Sequence, residues 1–187
     1  MQTLSKKNIT GTAEFSADRV YRYSLGRVWS RRAPHLVIIG LNPSTADDRR
    51  DDPTIRRCVG FARQFGYGGL KVVNLFAYRS TEPDALRHAA DPVGPDNSLA
   101  IRKAVGDCLC SPPVPGGTAR IRVLCAWGAN GVYLDQDLAV MDWLDGLDIE
   151  TVCLGVTNNG SPKHPLYLPA GITPRSYHGR AASRQSR

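Results

Sequence analysis

The chain has 187 residues, of which 42% are hydrophobic and 22% charged, so it is long and apolar enough for one ordinary globular domain rather than a disordered chain. Its formal net charge of +7 favours polyanionic partners, nucleic acid first. No apolar run follows the basic start Met1–Lys7, and stretches such as Leu36–Leu41 are too short to cross a bilayer. We therefore expect a cytoplasmic protein with no membrane contact.

The five cysteines do not indicate a cofactor. There is no C-x-x-C pair, and Cys108 and Cys110 are separated by one residue, a poor spacing for zinc or an iron–sulfur cluster. Cys125 and Cys153 fall inside apolar runs, where a free thiol behaves as a small buried hydrophobe. We expect neither a metal nor another cofactor.

The first half of the chain predicts a hairpin, two buried strands and a helix. Alternating apolar and polar residues over Ala13–Trp29 predict a β-hairpin. The unbroken apolar runs His35–Gly40 and Leu70–Phe76 are typical of strands buried on both faces. Between them, Asp52 and Pro53 are suited to the N-cap and first turn of a helix.

The second half continues the alternation of helices and strands. Its predicted elements are a short helix near Asp84–Ala89, a helix from Asp96 to about Cys108, a strand at Ile121–Ala126, a helix at Val132–Leu144 and a strand at Glu150–Leu154. This order predicts an α/β fold with an open, mostly parallel four-stranded sheet and helices on both faces, preceded by the N-terminal hairpin. We expect a single domain over residues 1–172 and a basic, flexible tail over residues 173–187.

Polar segments follow each of the predicted parallel strands. Sheets of this type bind ligands in the crevice beyond the carboxyl ends of their strands, so these segments should meet in one site. We expect its centre to consist of Asn42, Asn74, Trp127 and His164.

Three of these residues each allow two interpretations. The amide of Asn42 can position a water molecule or bind a carbonyl, or it can form a local turn. Asn74 interrupts an apolar strand, so its amide either ties the core together or faces a ligand. His164 is a loop histidine near prolines, held for function or simply exposed. Side chains suited to stacking on a base and contacting phosphate follow Asn74: Phe76, Tyr78 and Arg79.

Four aspartates, Asp47, Asp48, Asp51 and Asp52, invite a metal-site interpretation because hard cations prefer carboxylate oxygens. However, Arg49 and Arg50 lie between them, and Asp52 is already assigned as a helix cap. We expect this segment to be structural, with its carboxylates paired to neighbouring arginines.

Several motifs resemble those of a bacterial and phage family, the domain-of-unknown-function family 1643. The motifs, which cover nearly the whole chain before the tail, are Leu41-Asn-Pro-Ser-Thr-Ala-Asp47, Asp52-Pro-Thr-Ile-Arg-Arg57, Asn74-Leu-Phe-Ala-Tyr-Arg79, Trp127-Gly and His164-Pro-Leu-Tyr167. This resemblance implies no particular activity.

A more distant resemblance does imply one. The order of Gly40-Leu-Asn-Pro43, Asn74 and His164-Pro165 is similar to that in the uracil-DNA glycosylase superfamily. The resemblance implies a fold like that of those enzymes, with Asn42 directing the attacking water and His164 stabilising the departing base. It further implies that Asn74 reads a flipped base and that Leu168, four residues after His164, wedges into the duplex.

The leading hypothesis is therefore a monomeric, glycosylase-like domain that binds nucleic acid, most readily DNA, and acts in base flipping and repair. Catalysis is assigned to Asn42 and His164, and base binding to Asn74, Phe76, Tyr78 and Trp127. Nucleic-acid contacts are assigned to Ser44, Thr45, Arg79, Lys163 and Leu168. Two alternatives stay open, a metal-dependent nucleotide hydrolase or transferase using Asp47–Asp52, and a non-catalytic nucleic-acid-binding module.

Overall fold

A computed structural model describes residues 9–109, 123–147 and 149–180. The strands are β1 Thr10–Phe15, β2 Arg22–Val28, β3 His35–Gly40, β4 Gly69–Asn74, β5 Val123–Cys125, β6 Thr151–Cys153 and β7 Arg175–Ser176. The α-helices are α1 Pro53–Gln64, α2 Asn97–Leu109 and α3 Gln136–Asp145. Three short 3-10 segments lie at Pro83–Arg87, Ala129–Asp135 and Pro165–Tyr167.

The strands form one mixed sheet in the order β1-β2-β4-β3-β5-β6-β7. The pairs β3–β4, β3–β5 and β5–β6 are parallel, whereas β1–β2, β2–β4 and β6–β7 are antiparallel. The α/β class is as predicted, but the open, mostly parallel four-stranded sheet is wrong, because the sheet has seven strands and antiparallel pairs at both sides. The hairpin does not precede the sheet; it extends the sheet through β2.

The sequence of strand β2 does not indicate a buried strand, because several of its buried positions carry polar side chains. Arg22, Ser24 and Arg27 are all at most 3% exposed. Buried polar groups of this kind require partners. Ser24 Oγ donates to Glu14 on β1 at 2.6 Å, and Arg27 pairs with Asp51 at 2.8 Å. A central strand can thus have a hairpin-like sequence when its neighbours supply the partners.

The register of the parallel strands fixes where the loops emerge. Gly40 is paired with Asn74, so β3 and β4 end side by side. Cys125, the last residue of β5, is paired with Ile39 on β3 and with Cys153 on β6. The chain segments that leave all four strands therefore start at one edge of the sheet, which we call the carboxyl edge.

Helices cover both faces of the sheet. Helix α1 packs on one face, where Ile55, Phe61 and Ala62 join a core with Leu36 and Ile38. Helices α2 and α3 pack on the opposite face through side chains such as Ile101, Ala104, Met141 and Leu144. The alternation of side chains along β3 supplies both cores, as expected for a strand buried on both faces.

Helix α1 begins as its sequence predicts. The carboxylate of Asp52 accepts a hydrogen bond from the amide of Ile55 at 2.8 Å, and Pro53 occupies the first turn. The helix ends at Gln64 with Phe65 as its C-cap, and Gly66 follows with a φ of 81°, a conformation that favours glycine. Asp52 is therefore a helix cap, and this places it at the carboxyl edge.

Part of the segment assigned to a flexible tail packs on the sheet. Strand β7 pairs with β6, and Tyr177 is 1% exposed. Residues 181–187 lie outside the described residues. Within the described ranges, no helix combines the length and the apolar character that crossing a bilayer requires.

Candidate functional site

A pocket of about 610 Å³ lies at the carboxyl edge. Asn42 enters it from the segment after β3, Asn74 from the end of β4, and Trp127 from the segment after β5. His164 reaches the same pocket from the loop after β6. The structure thus brings together the four residues that the sequence placed at the centre of a site, although they are spread over more than 120 positions of the chain.

The amide of Asn42 links the segments that follow β3 and β4. Its Nδ2 donates to the carbonyl of Ser80 at 2.9 Å and, less closely, to that of Pro43 at 3.3 Å. The amide of Ser80 in turn donates to the carbonyl of Pro43 at 2.9 Å. Since the nitrogen of the Asn42 side chain is engaged, its Oδ1 is the atom that can accept from a water molecule or a ligand.

Asn74 is 3% exposed, yet its Nδ2 has no hydrogen-bond partner among the described residues. Its Oδ1 lies over Gly40, where an added Cβ would be 2.7 Å from this oxygen. Glycine at the end of β3 therefore makes room for the amide. A buried amide nitrogen without a partner costs free energy, so the arrangement favours the ligand-facing interpretation of Asn74 over the structural one.

His164 is held by the 3-10 turn that follows it. Its Nδ1 accepts from the amide of Leu166 at 3.4 Å, which assigns the proton of the neutral ring to Nε2. Burial lowers the pKa of His164, and the carboxylate of Asp52 opposes that shift only in part. His164 is therefore a neutral hydrogen-bond donor at pH 7, not a cation.

Trp127 forms a wall of the pocket and is 1% exposed. Its ring meets that of Tyr177 edge-on, with 5.9 Å between the centroids. The indole also packs closely against Gly131, where an added Cβ would lie 2.0 Å from Cδ1. These two contacts hold this wall in one orientation.

A second, shallower pocket of about 460 Å³ adjoins the first. Ser44 and Thr45 line both pockets, whereas Tyr78 and Arg79 line only the second. Of these residues assigned to nucleic-acid or base contact, two therefore lie between the pockets and two lie beside the main pocket.

Three other predicted residues lie outside both pockets. Phe76 is fully buried in the core, with its ring 5.6 Å from that of Tyr133, so it is not placed to stack on a ligand. Lys163 is exposed, and Leu168 packs against the core under α1. The exposed side chain at the rim is instead Tyr167, which is 85% exposed and lines the main pocket.

Two charged residues of the main pocket were not assigned to it from sequence. Asp52, interpreted only as a helix cap, also lines the pocket. Arg22, the first residue of β2, is 2% exposed and donates to the carbonyl of Ala46 at 2.8 Å, while its Nε has no partner in the part of the chain that the structure describes. Burial lowers the pKa of Arg22 to about 10, against the opposing effect of Asp52, so the guanidinium remains charged at pH 7. No motif in the sequence distinguishes this arginine.

The aspartates of residues 47–52 are engaged in protein contacts. Asp47 accepts from the amides of Arg49 and Arg50, and these hydrogen bonds lower its pKa. Asp51 pairs with Arg27 rather than with a neighbour in sequence, and Asp48 pairs with Arg49 at 3.5 Å. Within the described ranges, no three His, Cys, Asp or Glu side chains cluster as metal ligands would.

The chain matches the model of a family described as "Protein of unknown function (DUF1643)" over residues 22–166, which is most of its length. The match confirms the family that the motifs predicted, and it begins at the buried arginine of the pocket. Comparisons with curated proteins and with solved structures find no match. The resemblance to the uracil-DNA glycosylase superfamily stays a prediction.

Proposed function

We propose that this chain, which belongs to the DUF1643 family, is an N-glycosyl hydrolase acting on a nucleobase in DNA. The description of the family assigns no activity, so the function is inferred from the pocket. The base would leave the helix stack and enter the main pocket, as enzymes acting on bases in duplexes require.

The observation that carries this proposal is the donor pair formed by Asn74 and His164. Asn74 presents a buried amide nitrogen without a partner, and His164 is a neutral ring whose proton is on Nε2. Both line the same pocket. Nucleobases offer carbonyl oxygens and ring nitrogens as acceptors, so two donors in a buried pocket match the edge of a base.

The same geometry suits cleavage of the bond between C1′ of the sugar and the base nitrogen. The bonding electron pair leaves with the base, and a donor near its carbonyl stabilises the charge that develops there. We assign this donor to His164 Nε2. Asn42 Oδ1 would hold the water whose oxygen bonds to C1′, and the proton released by that water balances the charge of the departing base. Asp52 lines the same pocket; its Oδ1 caps α1, and its Oδ2 is the carboxylate oxygen available to accept that proton first.

The partner class is supported by the surroundings of the pocket. The second pocket contains Arg19 and Arg79 together with the hydroxyl-bearing residues Ser44 and Thr45. Cations and hydroxyls are the groups that position phosphate backbones. The metal-dependent alternative has weaker support because the carboxylates of residues 47–52 are engaged in protein contacts.

The test is base release from labelled oligonucleotides that each carry one altered base, in single-stranded and duplex form, followed by alkaline cleavage of abasic sites. We expect release from at least one substrate in the presence of EDTA. His164→Ala and Asn42→Ala should each slow release by about 10²–10³, the usual effect of removing one preorganised group.

His88→Ala is the matched control, because His88 is exposed and lines neither pocket. It should release base at the wild-type rate. Binding without release from any substrate would refute the hydrolase and support a non-catalytic module. Release that requires magnesium and survives His164→Ala would support the metal-dependent alternative instead.

A further inference from the structure

Two arginines flank the border between the pockets, and neither forms an ion pair within the described ranges. Arg22 lines the main pocket and Arg79 lines the second. No carboxylate lies within 4 Å of either guanidinium among the described residues. The Nε atoms of both arginines are buried without partners. A cation in this state costs free energy unless an anion compensates it.

The backbone places these two side chains on one face. Tyr21 and Tyr78 form an antiparallel bridge, the amide of Arg22 donates to the carbonyl of Ala77, and the amide of Arg79 donates to that of Val20. Arg79 therefore lies opposite Val20, and Arg22 is two residues after Val20. Residues two apart on a strand point to the same face, so Arg22 and Arg79 are diagonal neighbours on that face. Such neighbours lie about 7–8 Å apart, a spacing at which two long side chains can reach the same small group.

Arg79 is further fixed by its own contacts. Its guanidinium lies over the ring of Phe15, 4.9 Å from the centroid, and its Nη1 donates to the carbonyl of Arg19 at 2.9 Å. The guanidinium of Arg19 lies over the same ring at 4.2 Å. Aromatic contacts of this kind orient a guanidinium while leaving its other N–H groups available.

Between the two arginines lies a border of hydroxyl-bearing residues. Ser44, Thr45, Ser80 and Thr81 line both pockets. Asp52 is the acidic group whose charge opposes the lowering of the Arg22 pKa, but it forms no ion pair with Arg22 and its Oδ1 caps the first turn of α1. The border thus combines two cations with neutral donors, the chemistry that binds a phosphate ester.

We infer that Arg22 and Arg79 hold one phosphate of the ligand at this border, so that the substrate is a nucleotide unit and not a free base or nucleoside. This inference rests on the proposed function for the base in the main pocket, but the phosphate subsite can be tested without any base release. The phosphate belongs either to a mononucleotide or to a nucleic-acid strand.

The experiment compares ligands that differ only in the phosphate. Calorimetric titration would use the 2′-deoxynucleosides of uracil, thymine, cytosine, adenine and guanine, each with its 5′-monophosphate, and a ten-nucleotide single strand. Hydrogen bonds to charged groups contribute about 1.5–3 kcal/mol, so the monophosphate should bind roughly 10- to 100-fold more tightly than the nucleoside. Inorganic phosphate should also raise the melting temperature of the wild type by more than that of Arg79→Gln at the same phosphate concentration, since exclusion of this salt from the surface stabilises both proteins alike.

Arg22→Gln and Arg79→Gln should each reduce the preference for the monophosphate to less than about threefold while nucleoside affinity is kept. Arg79 is half-buried, so this variant keeps the test decisive if Arg22→Gln does not fold. Arg102→Gln is the matched control, because Arg102 is exposed and lines neither pocket.

The outcomes separate the two proposals. Tighter binding of the single strand than of any mononucleotide would identify a nucleic-acid strand as the source of the phosphate, and equal binding would identify a free nucleotide. Equal affinity for nucleoside and monophosphate, or a preference that survives both glutamine variants, would overturn the subsite. Phosphate-dependent binding without base release would refute the hydrolase and leave the subsite standing.

Discussion

Replacing the buried amide of Asn74 with an apolar side chain should make the protein more stable and less active. Among the residues that the structure describes, the Nδ2 of Asn74 is buried without a partner, and such a group costs about 1–3 kcal/mol. Asn74→Leu removes this cost and keeps the number and branching of the side-chain heavy atoms. We expect the free energy of unfolding to rise by about 1–2 kcal/mol, which corresponds to a melting temperature higher by roughly 2–8 °C in a domain of this size.

Asn97→Leu is the control, since it makes the same substitution at an equally buried position. Asn97 is 1% exposed, and its Nδ2 donates to the carbonyls of Asn74 and Leu75, both at 3.0 Å. Removing these hydrogen bonds leaves two buried acceptors without that donor. The Oδ1 of Asn97 is itself buried without a partner among the described residues, which offsets part of this loss, so Asn97→Leu should lose about 1 kcal/mol of stability.

Differential scanning calorimetry and urea titration of both variants measure the two effects, and base release measures activity. Asn74→Leu should lose base release, and Asn74→Asp should change which base is accepted, because it replaces a donor by an acceptor. If Asn74→Leu were as destabilised as Asn97→Leu, the amide of Asn74 would be a structural tie of the core. The reasoning that assigns it to a ligand would then fail.

Three further predictions concern Tyr167 at the rim of the main pocket, Gly40 next to Asn74, and the pH dependence of stability. Tyr167→Ala should change stability by less than about 0.5 kcal/mol but weaken binding of nucleic acid, whereas Leu168→Ala should chiefly destabilise the protein. Calorimetry measures the stability of both variants and filter binding measures their affinity. The reverse pattern would identify Leu168 as the contact residue. Gly40→Ala should impair base release because its Cβ would meet Asn74 Oδ1 at 2.7 Å, and wild-type release would contradict that placement. Burial holds the pKa of His164 below its ordinary 6.5, so the unfolded chain binds more protons than the folded protein just below that pH. The free energy of unfolding should therefore fall as the pH drops from about 7 towards the folded pKa. In urea titrations at several pH values, His164→Gln should reduce this dependence on pH.

The local features of the fold were largely predictable because they depend on neighbouring residues. The apolar runs at β3 and β4 are buried strands, and Asp52 with Pro53 begins α1, as the sequence indicated. The pattern of a half-buried hairpin did not reveal that β2 pairs with β4, because that pairing depends on residues more than 40 positions away in the sequence. Tertiary partners such as Asp51 for Arg27 decide whether a polar strand can be buried.

Exposure explains the errors within the site. The rule that ligands bind beyond the carboxyl ends of parallel strands placed Asn42, Asn74 and His164 correctly in one pocket. The rule does not specify which aromatic side chain after a strand faces the pocket. Phe76 packs inward and Tyr167 outward because of the paths of their loops, which short-range sequence patterns do not encode.

The wrong prediction for the sheet and the missed arginine have the same origin. A strand added in parallel would bring its carboxyl end to the carboxyl edge, but β2 is antiparallel to β4, with Leu25 opposite Val72 and Val28 opposite Gly69. The first residue of β2, Arg22, therefore reaches the edge at which β4 ends. The parallel strands supply neutral amides and an imidazole there, and the antiparallel strand supplies a buried cation. The proposed combination of a base pocket with a phosphate-binding border thus depends on the mixed sheet, because a purely parallel one would place the start of β2, and its charge, at the opposite edge.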